Sequence, residues 1–205
     1  MRALACRRPP CAPFATSIIP SVRRYRPAVS RPWVAENIPR FLRLGIIERI
    51  DPESETVQAV ILAPTRELAM QITDEMRDIA VCHEGVRLVC LYGGQPIGKQ
   101  IDALKRRPQI VVATPGRLSD HMKRRTVRVD TAKTVVLDEA DRMLDMGFFK
   151  DVTRIIEKVK NRKNLGLFSA TISQEVMTVS WMYQRDEVEI TVDVWILSRR
   201  MVLRL

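Results

Sequence analysis

The chain has 205 residues, with 34 Lys and Arg against 24 Asp and Glu and a net charge of +10. That length supports one α/β domain with a real core, and no apolar run approaches the roughly 18 residues of a membrane span. Residues 1–35 carry seven Arg and no acid, residues 36–198 carry 24 basic and 24 acidic residues, and the last seven residues add three Arg. The central region is therefore neutral, and nucleic-acid binding has to be argued from local sites, not from net charge.

Residues 1–40 hold seven of the twelve prolines and no glycine, with no apolar periodicity, which reads as a disordered Arg/Pro-rich tail. Its acid-free start loosely resembles an organelle transit peptide, although its prolines oppose the amphipathic helix such a peptide needs. Residues 41–50 fit a short helix or helix tail, and Asp51-Pro52-Glu53-Ser54 a turn. Strands are expected at Val57–Ala63, Val86–Tyr92, Ile110–Ala113, Thr134–Leu137, Leu165–Ser169 and Val188–Val192. Helices are expected at Arg66–Ala80, Ile97–Arg106, Pro115–Arg124 and 173–183. A further helix carries Phe149, Val152, Ile155, Ile156 and Val159 on one face. Strands alternating with helices predict an α/β fold, a mostly parallel sheet with helices on both faces. Residues 193–205 read as a C-terminal tail.

Cys6, Cys11, Cys82 and Cys90 form no C-x-x-C pair and read as reduced thiols of a cytoplasmic protein. His83 lies near two of them, but no second ligand pair exists to make a metal site.

Ligands in open α/β sheets bind at the carboxyl ends of strands, where Asp138 falls. A carboxylate there can hold Mg²⁺ on a nucleotide, usually through water, and Glu139 can orient or deprotonate an attacking water. The alternative is a strand running into an acidic turn. Thr65 and Arg66 stand at a strand end and helix start, with free backbone N–H groups and a planar donor for phosphate. The turn Thr114-Pro115-Gly116-Arg117 repeats that design on another strand. Helix capping plus a surface salt bridge is the alternative for each turn. Ser169 and Thr171 offer hydroxyls at the end of a neighbouring strand, with a simple N-cap as their other reading.

Ala63-Pro64-Thr65-Arg66-Glu67-Leu68-Ala69, Gly93-Gly94, Thr114-Pro115-Gly116-Arg117, Asp138-Glu139-Ala140-Asp141 and Ser169-Ala170-Thr171 occur in that order. Together they resemble the first RecA-like domain of a DEAD-box ATP-dependent RNA helicase, over about residues 45–192. The resemblance implies a RecA-like half of a P-loop NTPase spanning 41–192, using ATP and Mg²⁺ and gripping RNA. It implies that Asp138 holds the Mg²⁺ through water and Glu139 activates water. Asp141, Ser169 and Thr171 would couple ATP state to RNA. Thr65, Arg66, Gly93, Gly94, Thr114, Gly116 and Arg117 would contact the sugar-phosphate backbone, independently of sequence.

Two parts of the family pattern are not found. The G-x-x-x-x-G-K-T-like phosphate loop is expected just before residues 45–50, where Asn37-Ile38-Pro39-Arg40-Phe41-Leu42-Arg43-Leu44 has neither Gly nor Lys. The preceding adenine-reading glutamine motif is unrecognisable. No second RecA-like domain with arginine fingers follows Val192, which leaves completion by another chain in trans. Gly93–Gln100 nearly matches a phosphate loop, with Lys99 as its lysine, but Gln100 replaces the metal-ligating Ser/Thr and Pro96 removes a donor. The expectation is a domain that is catalytically incompetent alone. A non-enzymatic RNA- or partner-binding module and a non-functional gene remnant are the other readings. Because the resemblance starts abruptly near Gly45, the tail 1–40 reads as unrelated sequence joined to a truncated domain and not as part of the helicase fold. In this family the strand leading into the phosphate loop lies inside the sheet. Its loss predicts a marginal domain with sticky sheet edges.

Overall fold

The short apolar runs form strands stacked side by side in one sheet. The computed structural model describes residues 42–184, 189–193 and 200–204. Five parallel strands carry the chemistry: β1 (Ala59–Leu62), β2 (Leu88–Leu91), β3 (Ile110–Ala113), β4 (Thr134–Leu137) and β5 (Asn164–Ser169). With β6 (Glu189–Asp193) and β7 (Arg200–Arg204), the sheet order is β2-β3-β1-β4-β5-β7-β6. β1 is central to the parallel part, pairing β3 on one side and β4 on the other in register Leu62↔Ala113 and Leu62↔Leu137.

Alternation along the strands divides the core between two faces. Val60, Leu62, Val111, Ala113, Val135 and Leu137 face one apolar cluster, and Ala59, Ile61, Ile110, Val112 and Val136 face the other. The second face is covered by α1 (residues 42–47), through Ile46 and Ile47, and by α2 (Arg66–Ala80), through Ala69, Ile72 and Met76. The first face is covered by α3 (Ile97–Leu104), α4 (Pro115–Lys123), α5 (Ala140–Asp145), α6 (Phe149–Lys158) and α7 (Gln174–Tyr183). α2 begins where Thr65 Oγ1 accepts the Leu68 N–H at 3.3 Å, and α4 where Pro115 occupies its first turn. At the amino ends of the strands, buried Gln109 accepts from Arg87 N–H and donates to the carbonyls of Pro52 and Ser54. That fixes the 51–54 turn to the base of β2 and β3.

Three features depart from the sequence reading. The first strand starts at Ala59, although the Gln58 backbone already bonds Gln109 and Lys133 ahead of the two neighbouring strands. The segment after β4 folds into a separate six-residue helix, α5, ended by Gly147 at φ +85° before α6 begins. Within the segment read as a C-terminal tail, Arg200–Arg204 forms β7, antiparallel on β5. The expected disordered tail, residues 1–40, lies outside the described residues.

Candidate functional site

Parallel pairing brings the strand ends together along one edge. The turns after β2, β3 and β1 are neighbours there, and so are those after β4 and β5. The first group carries Gly93-Gly94, Thr114–Arg117 and Thr65-Arg66. Arg66 lies over the Tyr92 ring, 5.7 Å from its centroid. Its Nη1 is 3.6 Å from where a Cβ on Gly94 would sit, and Gly94 has φ +85°. A side chain at 94 would be strained by that φ, with its Cβ in ordinary contact with this guanidinium. Arg117 Nη2 donates to the Gln95 carbonyl at 3.1 Å, tying α4 to the same glycine turn. Arg66 stays half exposed, with only a loose 3.6 Å contact to Glu67. Thr65 caps α2 through its oxygen, which leaves the hydroxyl proton free to donate. Thr114 makes no side-chain cap bond. A Cβ on Gly116 would meet only Phe148, at 3.8 Å.

Sequence reasoning missed the support beneath this turn. Buried Gln100 donates to the Tyr92 carbonyl at 2.8 Å and to Gln95 Oε1 at 2.9 Å. Its own Oε1 lies 2.9 Å from Nε2 of fully buried His121, whose Nδ1 meets Thr126 Oγ1 at 2.8 Å. Burial first, then the Arg117 charge, pushes the His121 pKa below its ordinary value, which favours a neutral ring carrying its proton on Nε2. The only sequence signal was a polar residue on the inner face of each helix.

Lys99 stands apart from the acidic motif. It lines an open cavity of about 460 Å³ with Arg77, Arg87, Arg106 and Asp74, against edge strand β2. β2 is three strand spacings from β4, about 14 Å, so a phosphate held by Lys99 would not lie at Asp138.

The second group sits at the ends of β4 and β5. Asp141 is buried and uses both carboxylate oxygens. Oδ2 accepts from the Thr171 N–H at 2.9 Å and the Thr171 hydroxyl at 2.7 Å, and Oδ1 accepts from Arg142 N–H at 2.9 Å. Ser169 Oγ accepts the Asp141 N–H at 3.2 Å and donates to the Thr171 carbonyl at 2.6 Å. The Asp141, Ser169 and Thr171 expected to act together are thus one hydrogen-bonded unit across β4 and β5. Glu139 adopts the left-handed conformation, φ 49°, which turns the chain from β4 into α5, and its side chain meets Arg142 at 3.2 Å.

Asp138 is already engaged. Its Oδ1 accepts the Glu139 N–H and its Oδ2 accepts Arg43 Nη2, each at 3.1 Å. Arg43, only 8% exposed, also pairs with Glu75 on α2. Burial pushes the Asp138 carboxyl above its usual range, and Arg43 pulls it back. A hydrated Mg²⁺ keeps several waters around it and needs open space beside the carboxylate. Here that space holds a guanidinium, and no group of three metal-binding side chains occurs among the described residues. These residues do not fit a Mg²⁺ held at Asp138.

The DEAD/DEAH box helicase family model matches residues 41–179. The chain is 47% identical over 137 residues to the DEAD-box ATP-dependent RNA helicase CshA of Bacillus licheniformis, covering 67% of this chain and 28% of that protein. It is 40% identical over 174 residues to the ATP-dependent RNA helicase CshA of Limosilactobacillus reuteri, covering 85% and 35%. It thus spans about a third of the length of these relatives. Among solved structures it is similar to a DEAD box protein from the hyperthermophile Methanococcus jannaschii, with TM-score 0.68 and 38% identity over 73% of this chain and 40% of that one. It is also similar to the yeast DEAD-box splicing factor Prp28, with TM-score 0.65 and 31% identity over 70% and 35%.

Proposed function

The chain belongs to the DEAD/DEAH box helicase family, as a first RecA-like core domain, and from that premise we propose that it grips the sugar-phosphate backbone of RNA. The observation that carries the reading is the joining of three strand-end turns: Arg66 to Tyr92 and Gly94, and Arg117 to Gln95. Thr65, Gly93, Thr114 and Gly116 complete a surface of donors and glycines that a strand can approach closely. Such contacts position an RNA without reading its sequence. The unit of Asp141, Ser169 and Thr171 is the group that would couple this surface to ATP state.

ATP turnover is the family's chemistry, and the relatives are named for it. In this reading the chain does not perform it alone. The sequence Asn37–Leu44 offers no glycine loop or lysine for phosphate, and Asp138 is bound to Arg43. Glu139 would act on water only where a nucleotide is held beside it and a second RecA-like domain supplies arginine fingers. The same reading puts the protein in the cytoplasm; no helix among the described residues is long and apolar enough to cross a membrane.

The test is fluorescence anisotropy with single-stranded RNAs of unrelated sequence, using the full chain. Arg66→Ala and Arg117→Ala should each weaken binding by a similar factor on every RNA, and the pair together should flatten the salt dependence by up to about two phosphate contacts. RNA-stimulated ATP hydrolysis should be absent. Unchanged RNA binding by the double variant, or turnover abolished by Glu139→Gln, would overturn the proposal.

A further inference from the structure

Arg43 is an odd residue to bury. A guanidinium keeps its charge in every setting and is costly to desolvate unless fully paired. It is held under the sheet edge because α1 is docked through Ile46 and Ile47 against β1 and α2. Three residues before Ile46, nearly one helical turn, Arg43 is carried to the same side. There it meets two carboxylates from separate elements, Glu75 of α2 and Asp138 beyond β4. The result is one cation between two anions, a charge arrangement that a bound metal ion would otherwise provide.

We infer that Arg43 is a built-in cation standing in place of a metal at Asp138: the carboxylate is committed to the guanidinium, fastens α1 across the strand ends, and recruits no divalent ion. Both Asp138 oxygens already accept hydrogen bonds. A dication approaching Oδ2 would face the like charge of Arg43 in a partly desolvated site. Displacing Arg43 would also strip Glu75 of its partner. The acidic motif therefore acts here as a structural clamp. This inference is independent of the RNA reading, since its readout is metal binding and stability and not RNA affinity.

The probe is Mn²⁺ alone, counted as free ion by electron paramagnetic resonance, on the full chain. Wild type and Asp138→Asn should give the same isotherm. Arg43→Ala should gain a site at least on the order of tenfold tighter, and Arg43→Ala/Asp138→Asn should lose it again. Where Arg43→Ala does not fold, thermal melts of wild type and Asp138→Asn with and without MgCl₂ decide the matter. Asp138→Asn should lower the midpoint by the same amount in both conditions. Mn²⁺ binding by wild type that Asp138→Asn removes, a folded Arg43→Ala that gains no site, or a Mg²⁺-dependent stabilisation that Asp138→Asn removes would each overturn the inference.

Discussion

Asp141 and Thr171 should act as one coupled unit, and a double-mutant cycle can measure this. Asp141 Oδ2 takes two donors from Thr171, at 2.9 and 2.7 Å, and Ser169 closes the ring through the Thr171 carbonyl. A hydrogen bond to a charged acceptor contributes about 1.5–3 kcal/mol. Thr171 is exposed, so its released donors recover water and part of that is returned. Asp141→Asn keeps the shape and one acceptor but turns an amide N–H₂ toward a donor, and should cost about 1–3 kcal/mol. Thr171→Val removes only the hydroxyl bond and should cost about 1 kcal/mol. Once either is made, the other has less to break, so the double variant should fall short of additivity by about 0.5–2 kcal/mol. Urea unfolding of the full chain, followed by far-ultraviolet circular dichroism, gives all four stabilities. Additivity within about 0.3 kcal/mol would refute the idea that the two residues form one unit.

Acid should weaken the domain through His121. Its folded pKa lies below the ordinary imidazole value because of burial, so from about pH 6.5 downward the unfolded chain binds a proton that the folded chain refuses. Stability is therefore fully present above that pH and is lost as pH falls toward the folded pKa, at no more than about 1.4 kcal/mol per pH unit; urea midpoints at successive pH values should show this slope in wild type and a flatter one in His121→Gln. Val202→Pro should lower the urea midpoint clearly, because β7 lies between β5 and β6 and a proline inside a sheet removes a ladder donor. An unchanged midpoint would mean that β7 does not stabilise the edge of β5.

Most of the parallel sheet was legible because its strands are short apolar runs bounded by turn residues, three of them rich in β-branched residues. The site motifs were legible for a related reason: each sits where a strand meets a turn or helix, so strand order brings the turns carrying Arg66, Gly94 and Arg117 side by side. Partners from distant elements left no local trace. Arg43 stood in the sequence only as part of a run without the Gly and Lys of a phosphate loop, and nothing near it announces Glu75, 32 residues on, or Asp138, 95 residues on. Gln100 was weighed only as a substitute for a hydroxyl, yet its amide supports the turn carrying Gly93 and Gly94. β7 was missed because the run Trp195–Leu205 mixes arginines with apolar residues, and only pairing on β5 makes it a strand.

That last pairing bears on the expectation of sticky sheet edges. The expectation was that losing a strand inside the sheet would leave its neighbours with unpaired backbone groups. β7 instead pairs with β5 at Leu167, Phe168 and Ser169, and β6 pairs with β7 over five residues. An antiparallel strand satisfies the ladder as a parallel one would, but it restores only hydrogen bonds. A parallel strand brings its carboxyl end, and any phosphate-binding turn after it, to the edge where Asp138 lies. An antiparallel strand brings its amino end there. Pairing of this kind can stabilise the sheet while supplying nothing to the nucleotide side, where Asp138 has Arg43 as its partner instead.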